Sequence, residues 1–427
     1  MARGVAIPAF MTNPPETGST LQRVFHELAT RGEASVRDLA RTFGLKPSTL
    51  EEKVRRLKQK GLVIADGEET SVTGKVSKSA RAMLRPLRIN PGFGYLVGID
   101  MGASHVHFAL TDFCGEILSD SNIKIRPEDG PRKMITQIKE NVGKIVAAAG
   151  SPSGSRRTQA HRPKLEGLGI GVPSPVDPRT GLVSFANNLP GWTNIDLRGA
   201  LQEAFDVPVA LENDANMAAV GEHWRGAAHN AGNFVFIALG TGIGSGIFAD
   251  GRLIRGRTGA AGELYLFNVE WQRWNEDFGD TGYFESQVSG LGIAREGRKQ
   301  LDGSSAGRAA PERAAEGLAK ERDAHFVFDA FRQGDSKARA VLEKVFTMLG
   351  VAIADLVAVL DPDLIVLGGG ITRGAPEFLL STVTKVAKRI QPGAPPITLS
   401  TLEENAQTYG AIFSALTVAR EKIRGKL

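Results

Sequence analysis

A single cysteine, Cys114, stands in a chain of 427 residues. No intrachain disulfide can therefore form, and no thiolate cluster is available to hold a structural zinc. The expectation is a reducing, cytoplasmic compartment. No apolar run approaches the roughly 18–20 residues of a bilayer span. The stretch Met1 to Met11 is short and broken by Pro8, unlike a secretory signal, so no membrane partner is expected. A strong charge excess is missing as well, with 52 Lys and Arg against 47 Asp and Glu. Hydrophobic residues at 42% and charged residues at 23% exclude wholesale disorder and collagen-like or coiled-coil architecture. The length exceeds what one core supports, which points to two or three domains.

The small net charge of +5 is unevenly placed. Residues 1–90 hold 16 basic and 9 acidic side chains, whereas the remaining 337 residues hold 36 and 38. A basic module joined to a near-neutral body suggests an anionic polymer for the first and a small ligand for the second.

Past residues 1–18, expected to be disordered, three helices are predicted over residues 19–61. Leu21, Val24, Phe25 and Leu28 form the first apolar stripe, which stops at Gly32. Ser35 caps the second helix with Asp38 at its third position, and Gly44 ends it. Ser48 is expected to cap the third helix with Glu51 completing a Ser-x-x-Glu box, over a stripe of Leu50, Val54 and Leu57. Thr49, Lys53, Arg56 and Lys60 share one exposed face of that helix, which suits a major groove; the bland alternative is a solvated basic face. Leu62 to Ile64, an Asp66-Gly67 turn and Thr70 to Val72 read as a small hairpin. The order is that of a winged helix-turn-helix over residues 19–74, with Ser48, Thr49, Lys53, Arg56 and Lys60 as DNA contacts. Glu68 and Glu69 at the hairpin tip would repel phosphate. Residues 75–93, with Lys75, Lys78, Arg81, Arg85 and Arg88, read as a basic linker.

From Tyr95 the pattern changes to buried strands, Gly-rich turns and helices, an α/β signature. Tyr95 to Asp100 leads through Met101-Gly102-Ala103-Ser104 into a second strand, a hairpin able to hold phosphate with backbone N–H groups. Asn233 to Leu239 runs into Gly240-Thr241-Gly242-Ile243-Gly244-Ser245-Gly246. Its alternating glycines let backbone approach an anion or serve a structural hairpin. Gly368-Gly369-Gly370 follows a third strand and could pass under a nucleotide base or simply turn the chain. Strand and hairpin repeated in two halves imply two lobes, 94–216 and 217–427, with a cleft between them. Asp214 follows the strand Val207 to Leu211, where it could act as general base toward a hydroxyl or cap a helix starting at Ala215. Gly150 to Pro163 and Asp302 to Glu321 look like surface insertions.

Taken in order, Leu239 to Gly246, Glu212 to Asn216, Ala261-Gly262-Glu263-Leu264 and Pro362 to Gly370 resemble the ROK family (repressors, open reading frames and sugar kinases). The resemblance implies a two-lobed, actin-like ATPase body of the ribonuclease H-like kind, with a sugar in the cleft and the C-terminal helix packed back on the first lobe. It implies sugar contacts at Asn188, Asn213, Asp214, Glu263 and Glu285, and Asp214 as base in members that phosphorylate. Phosphate-loop positions correspond to Gly102, Ser104, Gly240, Thr241, Gly242 and Gly244, and the base loop to Gly368, Gly369 and Gly370. The winged helix resembles that of the family's regulators.

The chain departs from the family at two points. Ala103 adds a Cβ where the kinases carry glycine, which opposes ATP use. The family's zinc motif corresponds to Glu276 through Glu285 without its cysteines, and its histidine to Leu266, so zinc is not expected and Phe278, Tyr283 and Phe284 are expected to pack there instead. The sequence therefore implies a repressor binding operator DNA as a homodimer or homotetramer, with a sugar effector. The alternative is a sugar kinase using ATP and Mg with Asp214 as base.

Overall fold

In the computed structural model, residues 18–66, 82–102, 104–149, 164–185, 189–301 and 324–427 are described. The expected disordered start through residue 17, the hairpin residues Thr70 to Val72 and both expected insertions lie outside them.

The N-terminal module contains α1 (Thr20–Arg31), β1 (Glu33–Ser35), α2 (Val36–Phe43), α3 (Pro47–Gln59), β2 (Val63–Ala65) and β3 (Pro86–Ile89). The helices bury Leu21, Val24, Phe25 and Leu28; Val36, Leu39 and Ala40; and Leu50, Val54 and Leu57, whereas Phe43, expected to face inward at the end of the second stripe, is only half-buried. At Ser35 the side chain accepts from Asp38 N at 3.1 Å and Asp38 returns to Ser35 N, a reciprocal cap typically worth about 1 kcal/mol. An unforeseen second box joins Ser19 and Gln22 on α1. Gly44 ends α2 in the left-handed region, with φ 62°.

Two expectations are corrected. Ser48 does not cap α3: the helix starts at Pro47, Lys46 occupies the cap position, and no side chain closes it. Proline fits the first helical position because its φ is preset and its missing N–H has no intrahelical acceptor there, so the helix begins one residue before the serine. Among the described residues β2 pairs with β3, a strand within the stretch read as linker, while the expected return at Thr70 to Val72 lies outside them. β3 also pairs β1, giving the sheet order β1-β3-β2. Leu87 and Ile89 are buried and Arg88 pairs with Asp66 at 3.2 Å, so the module extends to Ile89.

Beyond it the chain forms two five-stranded sheets. The first contains β4 (Gly94–Met101), β5 (His105–Thr111), β6 (Ile117–Lys124), β7 (Lys164–Val172) and β10 (Val209–Asn213), in the order β10-β7-β4-β5-β6. A short ribbon of β8 (Val183–Phe185) and β9 (Thr193–Ile195) lies between β7 and β10 in sequence. The second contains β11 (Phe234–Leu239), β12 (Ile243–Ala249), β13 (Arg252–Leu253), β14 (Leu364–Gly368) and β15 (Ile397–Leu399), in the order β13-β12-β11-β14-β15. In both, the first three strands form an antiparallel meander and the last two join the first in parallel. One topology is thus used twice.

Among the described residues the helices of this part are α4 (Gly130–Ala149), α5 (Leu197–Phe205), α6 (Asp214–Arg225), α7 (Gly282–Val288), α8 (Gly290–Leu301), α9 (His325–Arg332), α10 (Ser336–Leu360), α11 (Pro376–Ile390) and α12 (Ala406–Gly425). By contacts the chain divides into one unit of Met1–Asp214 with Thr408–Leu427 and another of Ala215–Gln407. In the first unit α12 lies on β4 and β7 with almost no separation. A Cβ on Gly98 would stand 2.7 Å from Ile412 Cγ1, and one on Gly167 2.8 Å from the Ala415 carbonyl.

In the second unit His223 on α6 is fully buried, its ring stacked 4.8 Å from Phe248 and 5.7 Å from Phe234. Burial, with His229 nearby, pushes its pKa from 6.5 down to about 4. The unfolded chain therefore takes this proton first as pH falls, so the stability is complete above 6.5 and is lost on the way down to about 4. The span corresponds to at most about 3 kcal/mol. His223→Phe, which keeps the stack, should flatten the acid limb of urea-unfolding stability; parallel pH curves for variant and parent would refute this assignment.

Candidate functional site

The second unit assembles its polar residues around the start of β12. Glu285, in the first turn of α7, accepts a hydrogen bond from Ile243 N at 2.9 Å. Two residues along, Ser245 Oγ donates to the Gly262 carbonyl at 2.7 Å and fixes the turn that presents Glu263. Gly262 sits there with φ 87°, and a Cβ on it would meet the Ser245 carbonyl at 2.7 Å, so only glycine fits. Glu263 and Glu285 are both half-buried, and two residues of one strand anchor them. Sequence reasoning missed Ser245, whose only signal is a small hydroxyl residue between two glycines.

The glycine loop resolves into separate causes. A Cβ on Gly246 would lie 2.5 Å from Ala219 Cβ, and one on Gly244 2.9 Å from Ala215 Cβ, so both admit α6. At Gly242 a Cβ would stand 2.5 Å from Glu285 Oε2. Helix packing and a carboxylate thus account for three of these glycines without a ligand. At Gly240, whose N–H donates to the Gly242 carbonyl at 2.9 Å, the nearest atom to a Cβ is 3.9 Å away, and Thr241 is exposed. Gly368 and Gly369 are required by packing on Phe236 and Leu239, whereas Gly370 is open.

In the first unit Gly102 N donates to the His105 carbonyl at 2.9 Å across the β4–β5 turn, which occupies the same place in its sheet as the β11–β12 turn in the other. Ser104 is exposed, with Oγ 3.4 Å from His105 Nδ1. Ala103 and Asn188 lie outside the described residues. Asn213 ends β10 and Asp214 opens α6, both half-buried; the helix begins at Asp214 itself rather than at Ala215. Glu212 is buried, and its Oε1 accepts from Asn213 N at 3.1 Å. In the second unit, Glu222 further along α6 accepts from Ala227 N at 2.7 Å and from Ser400 Oγ, and burial raises its pKa.

The segment matching the zinc motif is held by aromatic packing. Phe278 meets Tyr283 edge-on at 5.2 Å, and the Arg273 guanidinium lies 4.9 Å over Phe278 and 5.3 Å over Tyr283. Tyr283 and Phe284 are buried, and burial, with Glu270 beside it, pushes the Tyr283 phenol up to about 12. Leu266, at the place of the family's histidine, is exposed.

On α3, Ser48, Thr49 and Arg56 are exposed and Lys53 is half-buried, and Lys60, which caps the helix end, is exposed. Arg56 bonds Glu52 at 2.7 Å, a neutralising partner one turn back that charge counting alone did not single out. Arg55 on the same helix is also exposed.

Two sheets of one topology, each opening on a glycine turn, define a mixed α/β, actin-like body of the sugar-kinase type. The ROK family model matches residues 96–418, and the chain belongs to the ROK family. A glucokinase from Thermotoga maritima is 32% identical over 337 residues, covering 77% of this chain and 98% of the relative. A xylose repressor from Bacillus spizizenii is 27% identical over 394 residues, covering 90% of this chain and 91% of the relative. A solved ROK family transcriptional regulator, described as a homolog of the E. coli MLC protein, shares the fold with a TM-score of 0.73 at 20% identity, over 95% of this chain and 97% of that one. Among the described residues no helix is long and apolar enough to cross a membrane.

Glu285→Ala should lower stability by about 1–2 kcal/mol in urea unfolding, since it strands the buried Ile243 N–H. Glu285→Gln keeps an acceptor oxygen and should cost less than half as much; equal losses would show that the bond to Ile243 does not hold the turn.

Proposed function

We propose that this chain is a cytoplasmic, sugar-responsive transcriptional repressor. The N-terminal module acts as a winged helix-turn-helix and the body as the sugar receptor. The observation that carries this reading is the module itself: α2, the Gly44 turn and α3 stand in order, a three-stranded sheet backs them, and α3 presents Thr49, Lys53, Arg56 and Lys60. The aligned region of the Thermotoga glucokinase is nearly that whole protein yet only 77% of this chain, whereas the Bacillus repressor aligns with 90%.

As a homodimer or homotetramer, the protein would set two α3 helices in successive major grooves of a partly palindromic operator. The sugar is held in the body by Glu263 and Glu285 with Asn188, Asn213 and Asp214, and it shifts operator occupancy only by binding one conformation more tightly than another. A second reading, a sugar kinase with Asp214 as general base, is favoured by the higher identity to the glucokinase.

Mobility shifts on fragments of the gene's own upstream region should show salt-sensitive binding. Removing Lys60 or Arg56 should lower the slope of log affinity against log salt by about one unit each if each meets a phosphate. Arg56, already paired to Glu52, should show the smaller change. Loss of binding with no change in slope would count against the α3 contact. An ADP-release assay over hexoses and pentoses tests the kinase reading: sustained turnover abolished by Asp214→Asn would replace the repressor with an enzyme.

A further inference from the structure

Within the first unit the N-terminal module meets the body along a seam between α1 and the last turns of α12. Phe25, His26, Ala29 and Thr30 face Thr417, Arg420, Glu421 and Arg424 across a crevice of about 20 Å³, room for a single water. The polar ties across it are few. Gln22 Nε2 donates to the Arg424 carbonyl at 3.1 Å. Arg420 is buried, and its two Nη atoms reach the Ala29 and Phe113 carbonyls at 3.4 Å each, the long end of hydrogen bonding.

Arg420 is under-bonded for a buried cation. Its Nε has no protein partner, and neither has Thr30 Oγ1 on the facing helix. No ion pair to Arg420 is found among the described residues; the nearby Asp112 carboxylate is taken up by Cys114 N at 2.8 Å and Glu116 N at 3.0 Å. A buried guanidinium without a carboxylate opposes the docking that it spans, because its desolvation is only partly offset. On its other side α12 has no slack: the glycines of β4 and β7 bring sheet backbone against Ile412 and Ala415. The helix is therefore fixed to the sheet and only loosely joined to α1, and α1 packs on α3.

We propose that Arg420 is a positioning residue that docks the DNA-binding module on the body while keeping that docking releasable, so that the state of the body is passed through α12 to the pose of α3. This inference rests on the regulator reading given above, and its test has an arm that needs no DNA. Arg420→Met fills the same space without the charge and should tighten the seam; Arg420→Ala should open it.

In the full chain, hydrogen exchange at the buried amides of α1 should slow at least threefold in Arg420→Met and quicken at least threefold in Arg420→Ala, with β4 and β7 unchanged. In mobility shifts, Arg420→Met should bind operator fragments at least as tightly as the parent. It should lose the weakening that D-xylose or D-glucose causes in the parent, a response that a merely structural role would leave intact. Arg420→Ala should bind more weakly. Unchanged α1 exchange in both variants, or altered exchange with the parental sugar response retained, overturns the proposal. A parent chain that binds no DNA overturns the regulator reading, and the exchange result then decides alone whether Arg420 governs the seam.

Discussion

The rest of the structure depends on helix backbone lying directly against sheet backbone, which glycine alone permits. In the first unit Gly98 and Gly167 remove the Cβ atoms that would separate α12 from β4 and β7, and Gly169 would collide with the Ala411 carbonyl if it carried one. In the second, Gly244 and Gly246 do the same for α6 on β12. Interiors at close-packed density transmit displacement rather than absorb it, so each helix moves with its sheet. The start of β12, where Glu285 and the turn carrying Glu263 are anchored, is held from behind by the same packing.

This constraint explains which parts of the site were legible. The alternating glycines from Gly240 to Gly246 signal close approach correctly, but a sequence does not say what approaches. Packing identifies α6 at two positions and a carboxylate at a third, leaving Gly240 with open space around it. Family resemblance could name Glu263 and Glu285, yet it could not show that Ser245 and Ile243 hold them, because one partner in each bond is a backbone group that carries no residue-type signal. In the segment matching the zinc motif, the aromatic residues were legible as apolar packing. Arg273 was not, since its role comes from lying over two rings rather than from its charge.

In the N-terminal module local signals were legible and non-local ones were not. Helical stripes and the Ser35 and Gly44 boundaries follow from period and capping, which short windows contain. β3 pairs across more than twenty residues with β2 and more than fifty with β1, and its basic neighbours hide the alternation of Leu87 and Ile89. Counting charge there made a strand look like a linker. Ser48 shows the converse error, a local capping signal overridden by the stronger preference of Pro47 for the first helical position.

The two sheets share a topology, and among the described residues the N-terminal module joins the first unit. Docking uses the turn at Phe113 and Cys114 and the face of α12 that carries Thr417, Arg420, Glu421 and Arg424. Phe113 N donates to the Pro91 carbonyl at 3.0 Å, and Asn90 ties the module's own Gly61 and Leu62 to the same junction. The inner turns of α12 stay committed to Gly98 and Gly167. One helix thus meets two demands, close contact with the sheet through Ile412, Ala415 and Ala419 and an under-bonded contact with α1 through Thr417, Arg420 and Arg424.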